Sequence, residues 1–220
     1  LGLVDSEMCI RDRTYIKHRL NGFDGDSPRR TPKDLEEYPA FSKRASSSGG
    51  VPTYSRPQCV GPISVKDLKP LEVDLQNFKD ALSVSEATDA FMNAASPGVI
   101  AQFQPHQHYP DHSSYLYALA DAMKVEYEGI AEAGLVIQID SPDLALGRHV
   151  LFKDQSDEEF VALAELHIEA LNHALQNIPA EQLRLHVCWG NYQGPHHCDI
   201  EMKKILPTVL KAKPMALSFE

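Results

Sequence analysis

The clearest structural signal in the sequence is the stretch Gln182-Leu183-Arg184-Leu185-His186-Val187-Cys188-Trp189-Gly190-Asn191-Tyr192. Its apolar first half and its Gly-Asn ending predict a strand followed by a loop. Because side chains alternate between the two faces of a strand, His186 and Cys188 should point the same way. An imidazole and a thiol on one face can supply half of a tetrahedral zinc site, although cysteine is also a common core residue.

The flanking sequence predicts alternating strands and helices. Besides the His186 strand, we expect strands at Gly98–Phe103, Leu135–Asp140 and Pro214–Glu220. Helices are expected at Val73–Asn93, at Ser114–Ala133 and from the capping box Ser156-Asp157-Glu158-Glu159 onward. This alternation is typical of parallel βαβ units, so it predicts an α/β fold, either half of a (β/α)8 TIM barrel or a doubly wound sheet. No Gly-x-Gly-x-x-Gly follows any expected strand, which excludes the dinucleotide-binding version of the second.

The first 61 residues read differently. Residues 1–13 include Met8-Cys9-Ile10-Arg11-Asp12-Arg13, which looks like translated sequencing adapter, so we expect this segment to be non-native and the natural protein to start earlier. The domain is expected over 14–220. Thr14–Gly61 is rich in proline, serine and glycine, which predicts a long surface excursion, and Val51–Val65 alternates weakly enough to suggest a hairpin.

Composition excludes several classes of partner. The chain has 21 basic and 31 acidic residues, a formal charge of −10, and 43% hydrophobic residues. Without a basic cluster, nucleic acid and anionic membranes are not expected partners, and no apolar run approaches the roughly 20 residues of a membrane span. The four cysteines are scattered rather than paired in a dense framework, which favours a reducing, cytoplasmic setting.

Polar residues collect where the expected strands end. His106, His108 and His112 follow the first strand, Asp140 ends the second, and Glu220 ends the last. The three histidines fit a loop that lines a substrate pocket, an independent metal site or a simple polar loop. We expect His167 to be a satisfied core histidine, and His196-His197-Cys198 to lie at the pocket rim or on the surface.

Three segments resemble the catalytic domain of the cobalamin-independent methionine synthase family. Val136–Leu144 is similar to its Ile-Asp-Glu-Pro segment, Leu185–Tyr192 to its His-x-Cys strand, and Leu217–Glu220 to a later strand that ends in glutamate. Val60-Gly61-Pro62-Ile63 resembles the connection before the family's third strand. The resemblance covers roughly residues 14–220 and implies a TIM barrel of which about the third to sixth strands are present.

The resemblance also implies a chemistry. His186, Cys188 and Glu220 take the places of three zinc ligands, and the family's fourth ligand, a later cysteine, would lie beyond Glu220. No catalytic residue is implied beyond this metal site. Zn²⁺ would activate the thiol of homocysteine, which takes a methyl group from a methylated folate. Asp140 resembles the aspartate that binds the substrate's ammonium group, while His106 and His108 would line the pocket. These 220 residues alone are expected to be inactive.

Two departures from the family keep other functions open. Asp-Glu-Pro reads Asp140-Ser141-Pro142, so one carboxylate is missing, and the loop after Phe103 is rich in histidine instead of aromatic residues. The alternatives are zinc-dependent alkyl transfer to another small thiol, such as coenzyme M, and a zinc- or pterin-binding barrel without catalysis. A uroporphyrinogen decarboxylase-type barrel shares the architecture but does not need the His-x-Cys strand.

Overall fold

The computed structural model describes residues 15–28, 31–48, 56–190 and 194–219. The expected adapter segment and Glu220 therefore lie outside the described residues, and so does Tyr192. Within the described ranges, no helix is long and apolar enough to cross a membrane.

The first part of the chain forms a small antiparallel sheet rather than the expected long excursion. Residues 15–19 are helical, and the elements that follow are β1 (Leu20–Asp24), α1 (Lys33–Glu37), α2 (Pro39–Ser48) and β2 (Gln58–Val65). Residues 51–55 of the expected hairpin at Val51–Val65 lie outside the described residues, and its described part is one continuous strand, β2, that pairs with β1. The pairing shifts register at Gly22, whose φ of +94° and 2.8 Å Cβ approach to the Gly61 oxygen exclude a side chain.

The rest of the chain builds a four-stranded parallel sheet in the order β3-β4-β5-β6. Its strands are β3 (Phe91–Ala95), β4 (Val136–Asp140), β5 (Leu183–Val187) and β6 (Ala216–Phe219). The helices are α3 (Lys69–Ser83), α4 (Pro97–Phe103), α5 (His112–Glu132), α6 (Gly147–Val150), α7 (Asp157–Ala174) and α8 (Met202–Val209). The predicted α/β class and the count of four parallel strands are confirmed.

The position predicted for the first of these strands is wrong. Gly98–Phe103 belongs to helix α4, while the strand lies at Phe91–Ala95, where a helix was expected. Ser96 begins the helix, because its side chain accepts a hydrogen bond from the backbone N–H of Val99 at 3.0 Å and Pro97 suits the first turn. A short apolar run fits a buried helix as well as a strand, and here the cap decides between them.

The later predictions agree with the structure. β4 and β5 lie where they were expected, and α7 begins at the Ser156 capping box, in which both reciprocal hydrogen bonds are present. Helix α8 continues through Pro207 and ends at Val209. These segments carry caps and long periodic patterns, which leave less room for ambiguity than a six-residue apolar run does.

The two faces of the large sheet differ in polarity. One face presents buried side chains such as Ile137, Ile139 and Leu185, which share one hydrophobic core with α5 and α7. The register places polar side chains on the opposite face, namely Asn93, Gln138, Asp140, Arg184, His186 and Ser218. This polar face positions the candidate site.

Candidate active site

Three polar residues form a row across the polar face near its carboxyl edge. Asp140 of β4 pairs in register with His186 of β5, which pairs in turn with Ser218 of β6. The Nδ1 atom of His186 lies 3.4 Å from the Ser218 hydroxyl oxygen. Because parallel strands place register partners side by side, this row brings a carboxylate, an imidazole and a hydroxyl together from three distant parts of the chain.

The Asp140 carboxylate is held by two amide side chains. Asn93 donates to its Oδ2 atom at 3.1 Å, and Gln138 donates to its Oδ1 atom at 2.9 Å. Asp140 is only 4% exposed. A buried carboxylate that is oriented in this way is suited to binding a cationic group, because hydrogen bonds already hold its two oxygens in place.

The sequence reasoning missed both amide donors. Gln138 could have been found, since it lies two residues before Asp140 in a strand that was predicted correctly and alternation puts the two on one face. Asn93 was hidden because its strand was predicted as the end of a helix.

The predicted metal ligands lie at the same edge. His186 is the penultimate residue of β5, and Cys188 follows the last residue of that strand and is 7% exposed. Glu220 lies outside the described residues, one position after the end of β6. Zinc ligation by these three residues therefore stays a prediction.

A basic side chain also belongs to this face and was missed by the sequence reasoning. Arg184 precedes His186 by two residues in β5, and its guanidinium carbon lies 3.8 Å from the centre of the Phe91 ring. Stacking of this kind holds a guanidinium group in place while it keeps its positive charge.

The structure places His106 and His108 at the small sheet. His106 forms a bridge with Cys59 of β2, and its ring packs on Tyr115 with 4.7 Å between ring centres. His108 is exposed and contacts Tyr109 edge-on. Both follow a helix rather than the end of a strand, so the placement expected for them is wrong. Their predicted role in substrate binding stays a prediction.

A buried chain of hydrogen bonds lies beside the row. The Ser96 hydroxyl donates to the Asp143 carboxylate at 2.8 Å, the other carboxylate oxygen lies 2.8 Å from Nδ1 of His167, and Nε2 of His167 lies 2.9 Å from Nε2 of His112. The backbone N–H of Ser96 donates to the Asp140 carbonyl at 3.1 Å, which connects the chain to the sheet edge. His167 is 3% exposed and hydrogen-bonded, so the predicted satisfied core histidine is confirmed.

His112 is the outer member of this chain. Burial, and then the neighbouring His167, lower its pKa from 6.5 to about 4, because both disfavour the imidazolium form. His112 is therefore neutral at physiological pH, and its ring also contacts Phe152 edge-on.

Comparisons with known proteins agree with the resemblance noted in the sequence. A methionine synthase of Saccharolobus solfataricus is 29% identical over 159 residues, which are 71% of this chain and 42% of that protein. A methionine synthase of Saccharolobus islandicus is 31% identical over 131 residues, 58% of this chain and 35% of that protein. The chain thus spans about two fifths or less of the length of these curated relatives. No protein-family model matches it.

A solved structure shares the fold. The B12-independent methionine synthase from Shewanella sp. W3-18-1, in complex with selenomethionine, superposes with a TM-score of 0.60 at 18% identity, over 93% of this chain and 53% of that one. The resemblance of this chain to the cobalamin-independent methionine synthase family is confirmed.

Replacing Gly98 by alanine should destabilise the protein strongly. A Cβ at Gly98 would lie 1.9 Å from the Asp143 Oδ2 atom and 2.6 Å from Nδ1 of His167, so the buried chain would have to move. We expect a loss near the upper end of the roughly 1–3 kcal/mol typical of overpacked cores, measured by urea unfolding. Gly61→Ala is the control, since its Cβ would meet nothing closer than 3.8 Å. Equal losses in the two variants would contradict this account.

The His112 imidazole should make stability depend on pH. Its pKa is about 4 when folded against 6.5 as its ordinary value, so between these values the unfolded chain binds more protons. Stability should therefore fall as pH drops from 6.5 to 4, by up to about 3 kcal/mol from this group. The measurement is urea unfolding of the wild type and of His112→Gln at pH 7 and pH 4.5. The free energy of unfolding should fall less between these pH values in the variant than in the wild type.

The matched control for that experiment is His173→Gln, which removes a partly exposed histidine paired with Asp121. This variant should lose stability toward acid much as the wild type does, because it keeps the His112 imidazole and the buried chain around it. A His112→Gln protein as sensitive to acid as the wild type would show that the His112 ring does not carry the effect.

Proposed function

We propose that this chain provides the substrate-thiol side of a zinc-dependent methyltransferase that transfers a methyl group from a methylated folate to homocysteine. The observation that carries the proposal is the row of Asp140, His186 and Ser218 on the polar face, with Cys188 directly after β5. The curated relatives are methionine synthases, which agrees with this reaction. We further propose that β3 to β6 are four consecutive strands of a (β/α)8 barrel whose interior is the polar face.

The donor set fits zinc. His186 and Cys188 offer one imidazole and one thiol, and the hydroxyl of Ser218 near Nδ1 of His186 can fix the orientation of the ring. If the register of β5 and β6 continued by one residue beyond Val187 and Phe219, Glu220 would be opposite Cys188 and could offer a carboxylate. When bound there, Zn²⁺ would lower the pKa of a coordinated substrate thiol and supply a thiolate nucleophile.

Asp140 would bind the ammonium group of the amino-acid substrate. Its carboxylate is already aligned by Asn93 and Gln138, so little side-chain freedom would be lost on binding. His106 and His108 would line the approach of the methyl donor from the side of the small sheet. Cys59, Cys188 and Cys198 form no disulfide, which suits a reducing, cytoplasmic setting, and we also propose that setting.

Two features of the polar face favour an alternative thiol as the methyl acceptor. Ser141 is buried where the family has a glutamate, which removes a carboxylate that would help to bind an amino acid. Arg184 adds a positive charge to the same face of the sheet. Both features suit a small thiol that carries an anionic group and no ammonium group, such as coenzyme M. A barrel that binds zinc or a pterin without catalysis is the outcome if no thiol is alkylated.

The metal proposal predicts the zinc content of the full-length protein. Elemental analysis should find about one zinc per chain less in His186→Ala and in Cys188→Ala than in the wild type, because each variant removes one ligand of this site. Cys59→Ala is the control, since it removes a buried free thiol of β2 that lies outside the site. Unchanged zinc in the folded His186→Ala and Cys188→Ala proteins would refute the site.

The acceptor is tested by replacing Asp140. With homocysteine, Asp140→Asn should lower kcat/KM by roughly 10- to 150-fold, the cost of losing a hydrogen bond to a charged group. With coenzyme M, which has no ammonium group, the same variant should change kcat/KM little. If the protein is active with coenzyme M and inactive with homocysteine, coenzyme M is the acceptor. If the purified zinc-loaded protein alkylates neither thiol, the proposal of alkyl transfer is refuted.

A further inference from the structure

A second group of metal-ligand side chains lies away from the proposed zinc residues. Asp34 of α1, His149 of α6 and Asp199, which follows β5 in the chain, converge although they are far apart in sequence. One ligand atom from each residue lies within 4.8 Å of the other two. No local sequence pattern predicts this group, because neither Asp34 nor His149 falls in a recognisable metal motif.

Burial distinguishes this group from an ordinary surface cluster. The side chains of Asp34 and His149 are fully buried, and that of Asp199 is 17% exposed. Nδ1 of His149 lies 2.9 Å from the Asp199 carboxylate. Bringing two carboxylates together out of water is costly unless a cation lies between them or one takes up a proton. A divalent ion that bound both carboxylates would offset this cost.

The surroundings add further ligand types. His196 contacts the second oxygen of Asp199 at 2.9 Å, while His197 contacts Glu37 at 2.7 Å and lies 3.8 Å from Asp34. The backbone N–H of Cys198 donates to Asp34 at 3.2 Å. The segment 196–199, expected at a pocket rim or on the surface, is thus in contact with the acidic side chains of α1.

We propose that Asp34, His149 and Asp199 bind a divalent first-row transition metal ion, Mn²⁺ or Zn²⁺, at a site separate from the one proposed at His186 and Cys188. Two carboxylates and one imidazole form an oxygen- and nitrogen-donor set that suits these ions. The alternative group of Asp34, His197 and Cys198 includes a thiol, but His197 is 40% exposed. The buried set holds its ion with less competition from water.

A metal ion bound at this site would connect α1 to the loop after β5. The metal joins a five-residue helix to the body of the protein at α6 and at residue 199. It also constrains the segment that leads away from Cys188. This role is structural, so it stands or falls independently of methyl transfer.

The test uses the full-length protein with His186→Ala and Cys188→Ala, so that the proposed zinc site is removed. Isothermal titration with Mn²⁺ and with Zn²⁺ should show about one ion bound per chain. Adding Asp199→Asn or His149→Gln should weaken binding by at least about tenfold, because each change removes a ligand. The matched control is His173→Gln, a partly exposed histidine paired with Asp121, which should bind as the parent does.

Two further readouts keep the test decisive. Hydrogen exchange should slow in α1 when the metal is added, and this protection should be absent in Asp199→Asn. We choose Asp199 for the substitution because it is more exposed than Asp34, so the variant is better able to fold than Asp34→Asn. The Co²⁺-loaded parent should lack a thiolate charge-transfer band. A thiolate band that Cys198→Ala abolishes would overturn the assignment in favour of the alternative group. A folded parent that binds neither ion, or that binds equally well without His149 and Asp199, would overturn the site itself.

Discussion

The in-register parallel pairing of β4 with β5 and β6 is the constraint on which the candidate site depends. It aligns Asp140, His186 and Ser218 although these residues lie in three segments separated by helices. One face of each strand must be apolar to join the core with α5 and α7, so the alternation of side chains leaves polar residues on the other face. A slip of one residue in β5 would bury His186 and expose Leu185.

The polar face combines features that a packed core does not need. Amide side chains fix the Asp140 carboxylate, and the stacked guanidinium of Arg184 lies two residues before His186 on the same face. The thiol of Cys188 follows at the end of that strand. A substrate or ion that bound at this face would meet polar groups that are already aligned, so little side-chain freedom would be lost on binding.

Sequence patterns predicted the part of the fold that has strong local signals. The capping box at Ser156 and the long periodic helix before β4 placed α7, α5 and their neighbouring strands correctly. The run Gly98–Phe103 misled because its length fits a strand while Ser96 and Pro97 begin a helix. Asp140, His186 and Cys188 could be singled out from strand ends. Asn93, His149 and Asp34 could not, since their contacts depend on tertiary packing that no local pattern records.

The hydrogen-bond chain through His167 also determines where protons sit. Asp143 accepts at both oxygens, one of them from Ser96, so Nδ1 of His167 carries a proton and donates it. The Nε2 atoms of His167 and His112 lie 2.9 Å apart, so one of them donates a proton and the other accepts it. The ring of His167 thus couples the proton positions of His112 to a carboxylate that His112 does not touch.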